Sequence, residues 1–311
     1  MKIVVSGALG HIGSFIIREL SARYPDIKII MIDNLMTQRF SSLFNLPLNG
    51  QFQFIEADIT KFELESILES EDIVIHLAAI TDAAGSFSKA KELEKNNYYA
   101  TKKIALACLN ANSKLITLSS TSVYGTQKSI VSEDCLEDEL KPQSPYAETK
   151  LKEERLISSL NKESGLKSVT LRFGTIYGIS KGMRFHTAVN KFCWQAAMSQ
   201  PLTVWSTAYN QKRPYLDLKD ASRAINHIID NNIFDGLIYN VLTENLTVKQ
   251  IIEAIKEFKP FLQVKFVENK IMNQLSYEVS CERFKNTGFK FHGNFKEGIK
   301  DTIELLKKTN N

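Results

Sequence analysis

Tyr146 and Lys150, one helical turn apart in QSPYAETKLKEE, are the residues of this 311-residue sequence whose types and spacing best suit proton transfer. A free phenol titrates near a pKa of about 10 and is a poor base at neutral pH, but a neighbouring ammonium favours its ionised form. Lowering it by about three units takes roughly 4 kcal/mol of electrostatic stabilisation, which cations in a closed cleft can supply. Ser144 followed by Pro145 is the pattern of a helix N-cap with proline at the first helical position, although Glu148 comes one residue late for a capping box. A helix starting there puts Tyr146 and Lys150 on one face. Taken alone, the pair also reads as an exposed tyrosine beside a routine lysine. Its place after an apolar run ending in Ser119, Ser120, Thr121 and Ser122 argues for chemistry, because hydroxyls at the carboxyl end of a parallel strand face the ligand crevice.

The elements that must position this pair begin with MKIVVSGALGHIGSFIIREL. Ile3, Val4 and Val5 form an apolar run, Gly7, Gly10 and Gly13 follow, and Ile12, Phe15, Ile16 and Leu20 recur at helical spacing. Strand, glycine turn and helix bring free backbone N–H groups and the positive end of a helix dipole to one point, where a diphosphate can approach. A second apolar run, Ile27 to Ile32, ends in Asp33, twenty residues beyond Gly13, the place of an acid that bonds ribose hydroxyls in a dinucleotide-binding unit. That acid repels a 2′-phosphate and no arginine follows it immediately, so the pattern favours NAD over NADP. Further strands are expected at Phe52–Glu56, Ile73–Leu77, Lys114–Leu118 and Val169–Phe173, with a long amphipathic helix over Glu92–Ala111. This alternation predicts an α/β, doubly wound parallel sheet of the Rossmann type. Asp58 lies where a loop meets the adenine, or else caps its own loop. Ala78 and Ala79 permit close approach of a ligand, and His76, inside an apolar run, reads as a satisfied core histidine.

Hydrophobic content of 43%, charged content of 24% and a net charge of +4 describe a globular protein without a membrane-spanning run. With no secretory signal at Met1, and with Cys108, Cys135, Cys193 and Cys281 scattered without metal-ligand or paired spacing, a cytoplasmic location, reduced thiols and no metal site are expected. The basic clusters Lys102-Lys103 and Lys307-Lys308 read as solvated helix faces, so no nucleic-acid partner is implied.

GALGHIG, Asp33, HLAA, LSSTSVYG, SPYAETK and LRFGTIYG, in this order, resemble the extended short-chain dehydrogenases/reductases, and within them the NAD-dependent nucleotide-sugar epimerase/dehydratase group. Fainter matches run through QKRPYLDLKDASRAI, GLIYNV and YEVSCERFKNTGF, with a helix start at Thr247. The resemblance implies a Rossmann domain over about 1–175 and 214–243, and a smaller interleaved α/β substrate domain over 176–213 and 244–311. It implies that Tyr146 and Lys150 are the catalytic pair and that Ser120 bonds the reacting oxygen. Around NAD it places Gly7, Gly10, His11, Ile12, Asp33, Asn34, Asp58, Ile59, Leu77, Ala78, Ala79, Asn97, Ser119, Phe173 and the catalytic pair itself, Tyr146 and Lys150, the lysine also holding the cofactor. Around a nucleotide-sugar substrate it places Thr81, Ser120, Thr121, Thr175, Asn190 and Arg213. It also implies a homodimer through the helices beginning near Glu92 and at Ser144.

The chain departs from the group's pattern at several places. Thr175 stands where related 4-epimerases carry an asparagine, Arg213-Pro214 replaces Arg-Asp, STAYN replaces Gly-Asp-Gly, and NKIMNQLSYE lacks Arg-Pro-Gly-Asp. Arg213, Arg184 and Arg283 remain as cations able to clamp phosphates. Phe185, Phe192 and Trp194 suit either core packing or stacking on a base. Thr121 and Ser122 occupy the positions of the Asp-Glu pair of the dehydratases, and the glutamate of the decarboxylating relatives is absent. The expected reaction is therefore epimerisation, most simply at C4. A sugar dehydrogenase or reductase, or a non-catalytic NAD-binding regulator, are the alternatives on the same fold.

Overall fold

A computed structural model of the protein describes residues 1–81, 90–125, 129–268 and 276–307. Most of the NKIMNQLSYE stretch and Lys308 lie outside the described residues. The first half of the chain runs β1 (Lys2–Ser6), α1 (His11–Arg23), β2 (Lys28–Asp33), β3 (Gln51–Glu56), β4 (Ile73–His76), α2 (Ala90–Asn110), β5 (Lys114–Ser120), β6 (Ile130–Val131) and α3 (Pro145–Ser164). It continues through β7 (Ser168–Phe173), β8 (Thr175–Tyr177), α4 (Ala188–Ala197), β9 (Leu202–Trp205), β10 (Lys212–Asp217), α5 (Leu218–Asp230) and β11 (Asp235–Val241). The last part is β12 (Glu244–Thr247), α6 (Val248–Phe258), β13 (Val264–Val267), β14 (Glu278–Val279), α7 (Glu282–Lys285) and α8 (Phe295–Lys307).

Seven strands form one sheet in the order β11-β7-β5-β4-β1-β2-β3, and every neighbouring pair is parallel. Ile3, Val4 and Val5 are fully buried, as a strand covered by helices on both faces requires. The order reverses between β1 and β4, so the carboxyl ends of β1, β4 and β5 open on one crevice. The expected strands are found with ends shifted by a residue or two. The largest shift is at β5, which runs through Ser119 and Ser120, so these hydroxyls end the strand itself.

A second core gathers Tyr177, Phe192, Tyr215, Ile251 and Phe295 above that edge, around the three-stranded sheet β12-β10-β8. Thr247 caps α6 in a reciprocal box with Gln250. Not all of the C-terminal segment sits there, because Phe284 and Phe289 pack into the core of the large sheet. No helix among the described residues is long and apolar enough to cross a membrane.

The helix α3, which carries Tyr146 and Lys150, is pinned at both ends and along its length. Ser144 Oγ accepts from Ala147 N at 3.2 Å, as the Ser-Pro pattern predicts, and Gly165 ends the helix at φ 75°. One turn beyond Lys150, Glu154 forms a bidentate pair with Arg172 of β7, with Nε–Oε1 at 2.8 Å and Nη2–Oε2 at 2.7 Å. Arg172 also donates to Tyr124 OH at 2.8 Å, and Tyr124 donates to Asn240 Oδ1 of β11 at 2.9 Å. The pair is buried, so its worth lies in orientation, and removing one partner strands a charge. Arg172→Met is expected to cost about 3–5 kcal/mol in urea unfolding, with part of the loss recovered in the R172M/E154Q double variant.

Candidate active site

The carboxyl edge of the large sheet is the floor of a cavity of about 750 Å³ whose other walls come from the second core. At one end is the glycine turn. Gly7 adopts φ 70°, and a Cβ there would lie 2.6 Å from the backbone nitrogen of Ala78, so the turn and the end of β4 meet without side chains between them. Gly7, Gly10, His11 and Ile12 line this end together with Asp33, Asn34, Asp58 and Ile59. The Asp33 carboxylate accepts from Leu9 N at 3.0 Å and from Leu35 N at 2.9 Å, which fixes its charge beside the turn. Asp58 accepts from Thr60 N at 3.0 Å and Thr60 Oγ1 at 2.7 Å, so it braces its own loop while also lining the cavity.

Leu77, Ala78, Ala79 and Thr81 form the middle of the floor with Ser119 and Phe173, and Tyr146, Lys150 and Ser120 line the same cavity, as do Thr121, Thr175 and Arg213. The Lys150 Nζ lies 6.0 Å from the Tyr146 ring centroid. Withdrawal from water pushes the Tyr146 phenol above its ordinary range, and Lys150 opposes that shift. Burial works against the Lys150 ammonium, yet its acidic neighbours, Glu153 foremost, hold it above the usual lysine value. Ser120 Oγ accepts from Ser122 N at 3.2 Å and is 2.9 Å from Ser122 Oγ, so the hydroxyl is oriented by the turn that follows β5. Ser119 also lines the cavity, and its buried Oγ has no hydrogen-bond partner among the described residues.

Two expected contacts are not at the cavity. Asn97 is buried behind its wall, where Oδ1 accepts from Ile80 N at 2.8 Å and Nδ2 donates to Ile80 O at 2.9 Å. An amide that satisfies both backbone groups of one residue positions the loop after β4 and has no free end for a ligand; its neighbour Asn96 lines the cavity instead. Asn190 likewise accepts from Gly178 N at 3.2 Å and donates to Arg184 O at 2.9 Å, behind Lys191, which does line the cavity. Arg283 bonds Asp134 and the Ile238 carbonyl and does not reach the cavity. His76 is a core histidine, 2.7 Å from Ser6 Oγ and 3.2 Å from Thr101 Oγ1, and burial holds it neutral with a pKa of about 3. Phe192 is buried in the second core, whereas Phe185 and Trp194 remain partly exposed and pack on each other at 5.3 Å.

The sequence reading missed Arg39. Positive φ angles at Leu35 (55°) and Gln38 (51°) fold the chain back, so this arginine returns to the cavity near Asp33. It also missed that His11 joins the two halves of the site. Its Nδ1 lies 2.7 Å from Ser180 Oγ and its Nε2 3.4 Å from Asn190 Nδ2, and burial, reinforced by Arg184, Arg39 and His186, lowers its pKa to about 3. Beside it, Gly182 N donates to Ser14 Oγ at 2.8 Å. The segment that walls the far side of the cavity is thus laced onto the glycine turn. Cations face the cavity there: Arg184, whose guanidinium bonds Thr81 and His186, Lys191, and Arg213, whose guanidinium carbon stands 5.0 Å from the Tyr277 ring centroid.

The family model of the NAD dependent epimerase/dehydratase family matches residues 3–241. The chain belongs to that family. An uncharacterized UDP-glucose epimerase of Bacillus subtilis is 30% identical over 267 residues, covering 83% of this chain and 82% of that protein. A trifunctional UDP-glucose 4,6-dehydratase/UDP-4-keto-6-deoxy-D-glucose 3,5-epimerase/UDP-4-keto-L-rhamnose-reductase of Arabidopsis thaliana is 28% identical over 97% of this chain, which spans about half (46%) of that protein's length. Among solved structures, the UDP-glucuronic acid 4-epimerase of Bacillus cereus in complex with UDP-glucuronic acid and NAD superposes with a TM-score of 0.90 at 26% identity, covering 99% of this chain and 100% of that one.

The family's cofactor is NAD, and the residues of this member fit it. The glycine turn leaves a cradle bare of side chains, the helix α1 N-terminus faces it, and Asp33 presents a fixed acceptor at the ribose end. In calorimetric titration the protein is expected to bind NAD more tightly than NADP. Asp33→Ala, which removes a charged acceptor, is expected to weaken NAD binding roughly tenfold to a hundredfold, or ~1.5–3 kcal/mol. Unchanged NAD affinity in D33A would remove Asp33 from the cofactor site.

Proposed function

We propose that the protein is an NAD-dependent epimerase of a nucleotide sugar that inverts C4 through a transient 4-keto sugar. The observation that carries this reading is the distribution of acids around the cavity. Among the described residues its lining carboxylates are Asp33 and Asp58, both beside the glycine turn, while around Ser120, Tyr146 and Lys150 the lining carries hydroxyls, the amides of Asn96 and Gln143 and the neutral His76, and no carboxylate. Thr121 Oγ1 donates to Phe173 O at 3.3 Å and Ser122 Oγ lies 2.9 Å from Ser120 Oγ, so both are absorbed in local bonds. Elimination of water from a keto sugar needs an acid for the leaving hydroxyl and a base for the adjacent carbon, and hydroxyls serve as neither near neutral pH.

What remains suffices for epimerisation. Tyr146, as phenolate, takes the proton of the sugar hydroxyl and returns it later, and Lys150 offsets the phenolate charge. Ser120 donates to the same oxygen as it becomes a carbonyl. NAD supplies the acceptor that takes a hydride from that carbon and gives it back. The keto sugar turns over between the two steps, so that the hydride returns to the other face of the carbon while the same phenol protonates the oxygen. Arg184, Lys191 and Arg213 provide positive charge along the wall for a diphosphate. The relatives named above act on UDP-sugars, which supports a nucleotide sugar as substrate.

Tyr146→Phe is expected to leave the fold and NAD affinity unchanged and to lower turnover by at least ~10²-fold, the loss typical of a positioned acid/base. Wild-type protein given NAD and substrate accumulates no net NADH. A fully active Phe variant, or stoichiometric NADH, would replace this reading with that of a dehydrogenase.

A further inference from the structure

Glu153 has no part in the scheme above, yet it holds the residue on which that scheme turns. Lys150 Nζ donates to Glu153 Oε2 at 2.9 Å, and the two side chains are only 7% and 6% exposed. Lys150 lines the cavity and Glu153 does not, so the carboxylate grips the ammonium from the side away from the ligand. Its other oxygen, Oε1, is buried without a hydrogen-bond partner among the described residues. The neighbouring carboxylate of Glu154 is not a substitute, because both its oxygens are taken by Arg172. A buried glutamate facing one lysine, with half its hydrogen-bonding capacity unused, is a costly arrangement for stability alone.

We infer that Glu153 is a positioning residue of the acid/base pair, which fixes the Lys150 ammonium against the cavity floor and by its charge sets the working pH of Tyr146 and Lys150 higher than it would otherwise be. The inference rests on the reading of Tyr146 as the proton-transfer group. Two effects act in the same direction. A carboxylate near a phenol opposes formation of phenolate, and a carboxylate on an ammonium opposes loss of its proton. Both ionisations therefore move to higher pH in its presence, and both move down when it is neutralised.

The other charged groups facing the pair do not reverse this sign. From β4, His76 is neutral with a pKa near 3 and stays so throughout the working range. From the segment before α4, Arg184 favours phenolate whether or not Glu153 is present. Among the described residues, β5 and the turn after it bring hydroxyls, and β7 brings Arg172, neutralised by Glu154. From α2, Glu94 pairs with Lys152 on the outer face of α3. On β11, Asp235 accepts from Tyr239 OH at 2.5 Å.

The test is a spectrophotometric titration of tyrosinate, taken as the difference between wild type and Y146F and again between E153Q and E153Q/Y146F, so that the signal belongs to Tyr146. In E153Q the phenol is expected to ionise at a pH lower by half a unit or more, about a threefold or larger change in its ionisation constant. Both limbs of the turnover profile should move the same way, and E153D, which keeps the charge, should stay near wild type. A side chain that merely fills space would lower turnover without moving either limb. Tyr146 and both limbs unmoved in a folded E153Q overturn the inference. E153M is a second neutral variant; if neither it nor E153Q folds, the carboxylate is a folding requirement and the inference is equally overturned. The titration needs no substrate, so a failure to find any epimerised sugar would count against the proposed function and leave this result standing.

Discussion

An ammonium withdrawn from water beside a phenol is the constraint on which the site depends. Lys150 is nearly inaccessible, and a lone buried lysine tends to shed its proton. The fold prevents this by surrounding it with acids from its own helix and by fixing that helix rigidly. Glu153 meets the ammonium directly, and Glu154, one residue on, is locked to β7 through Arg172. The same Arg172 reaches Tyr124 and, through it, β11, so the helix that carries Tyr146 and Lys150 is held by the sheet that carries the glycine turn. Precision at Tyr146 is therefore a property of the large core.

The second dependence is between the two ends of the cavity. His11 belongs to the glycine turn but spends its ring nitrogens on Ser180 and Asn190, and the loop between those residues contributes Arg184 and rests on Leu9 and Gly10. A Cβ at Gly182 would lie 2.3 Å from the Leu9 carbonyl oxygen, so loop and turn meet backbone to backbone with no side chain between them. The cofactor turn and the wall that carries the cations are thus parts of one contact, as suits the proposed reaction, in which the same carbon loses and regains hydrogen away from water.

Features encoded by neighbours in sequence were legible. The Ser144-Pro145 cap, the apolar run of β1, the glycine turn and the acid ending β2 each depend on a few adjacent residues, and each stands where the pattern placed it. Ser120, Tyr146 and Lys150 line one cavity because strand end and helix start fix them on the crevice side. What was not legible depends on how the backbone folds back around a side chain and on which side chains the packed core then covers. Asn97 and Asn190 have the chemistry of ligand-binding residues, but each is consumed by a backbone segment that only tertiary folding brings near. Arg39 needed left-handed backbone at Leu35 and Gln38, for which neither residue type gives a signal. Glu153 reads as one more charge on an amphipathic helix until the structure buries it.

In the proposed reaction hydrogen leaves and returns to one sugar carbon, and no carbon–carbon or carbon–oxygen bond is broken. The most direct measurement is NMR of the product formed from a nucleotide sugar deuterated at C4. The account predicts inverted configuration at C4 with the deuterium retained there. Deuterium transferred to C6 in a 4-keto-6-deoxy product, release of CO₂, or exchange of the label with solvent would contradict it.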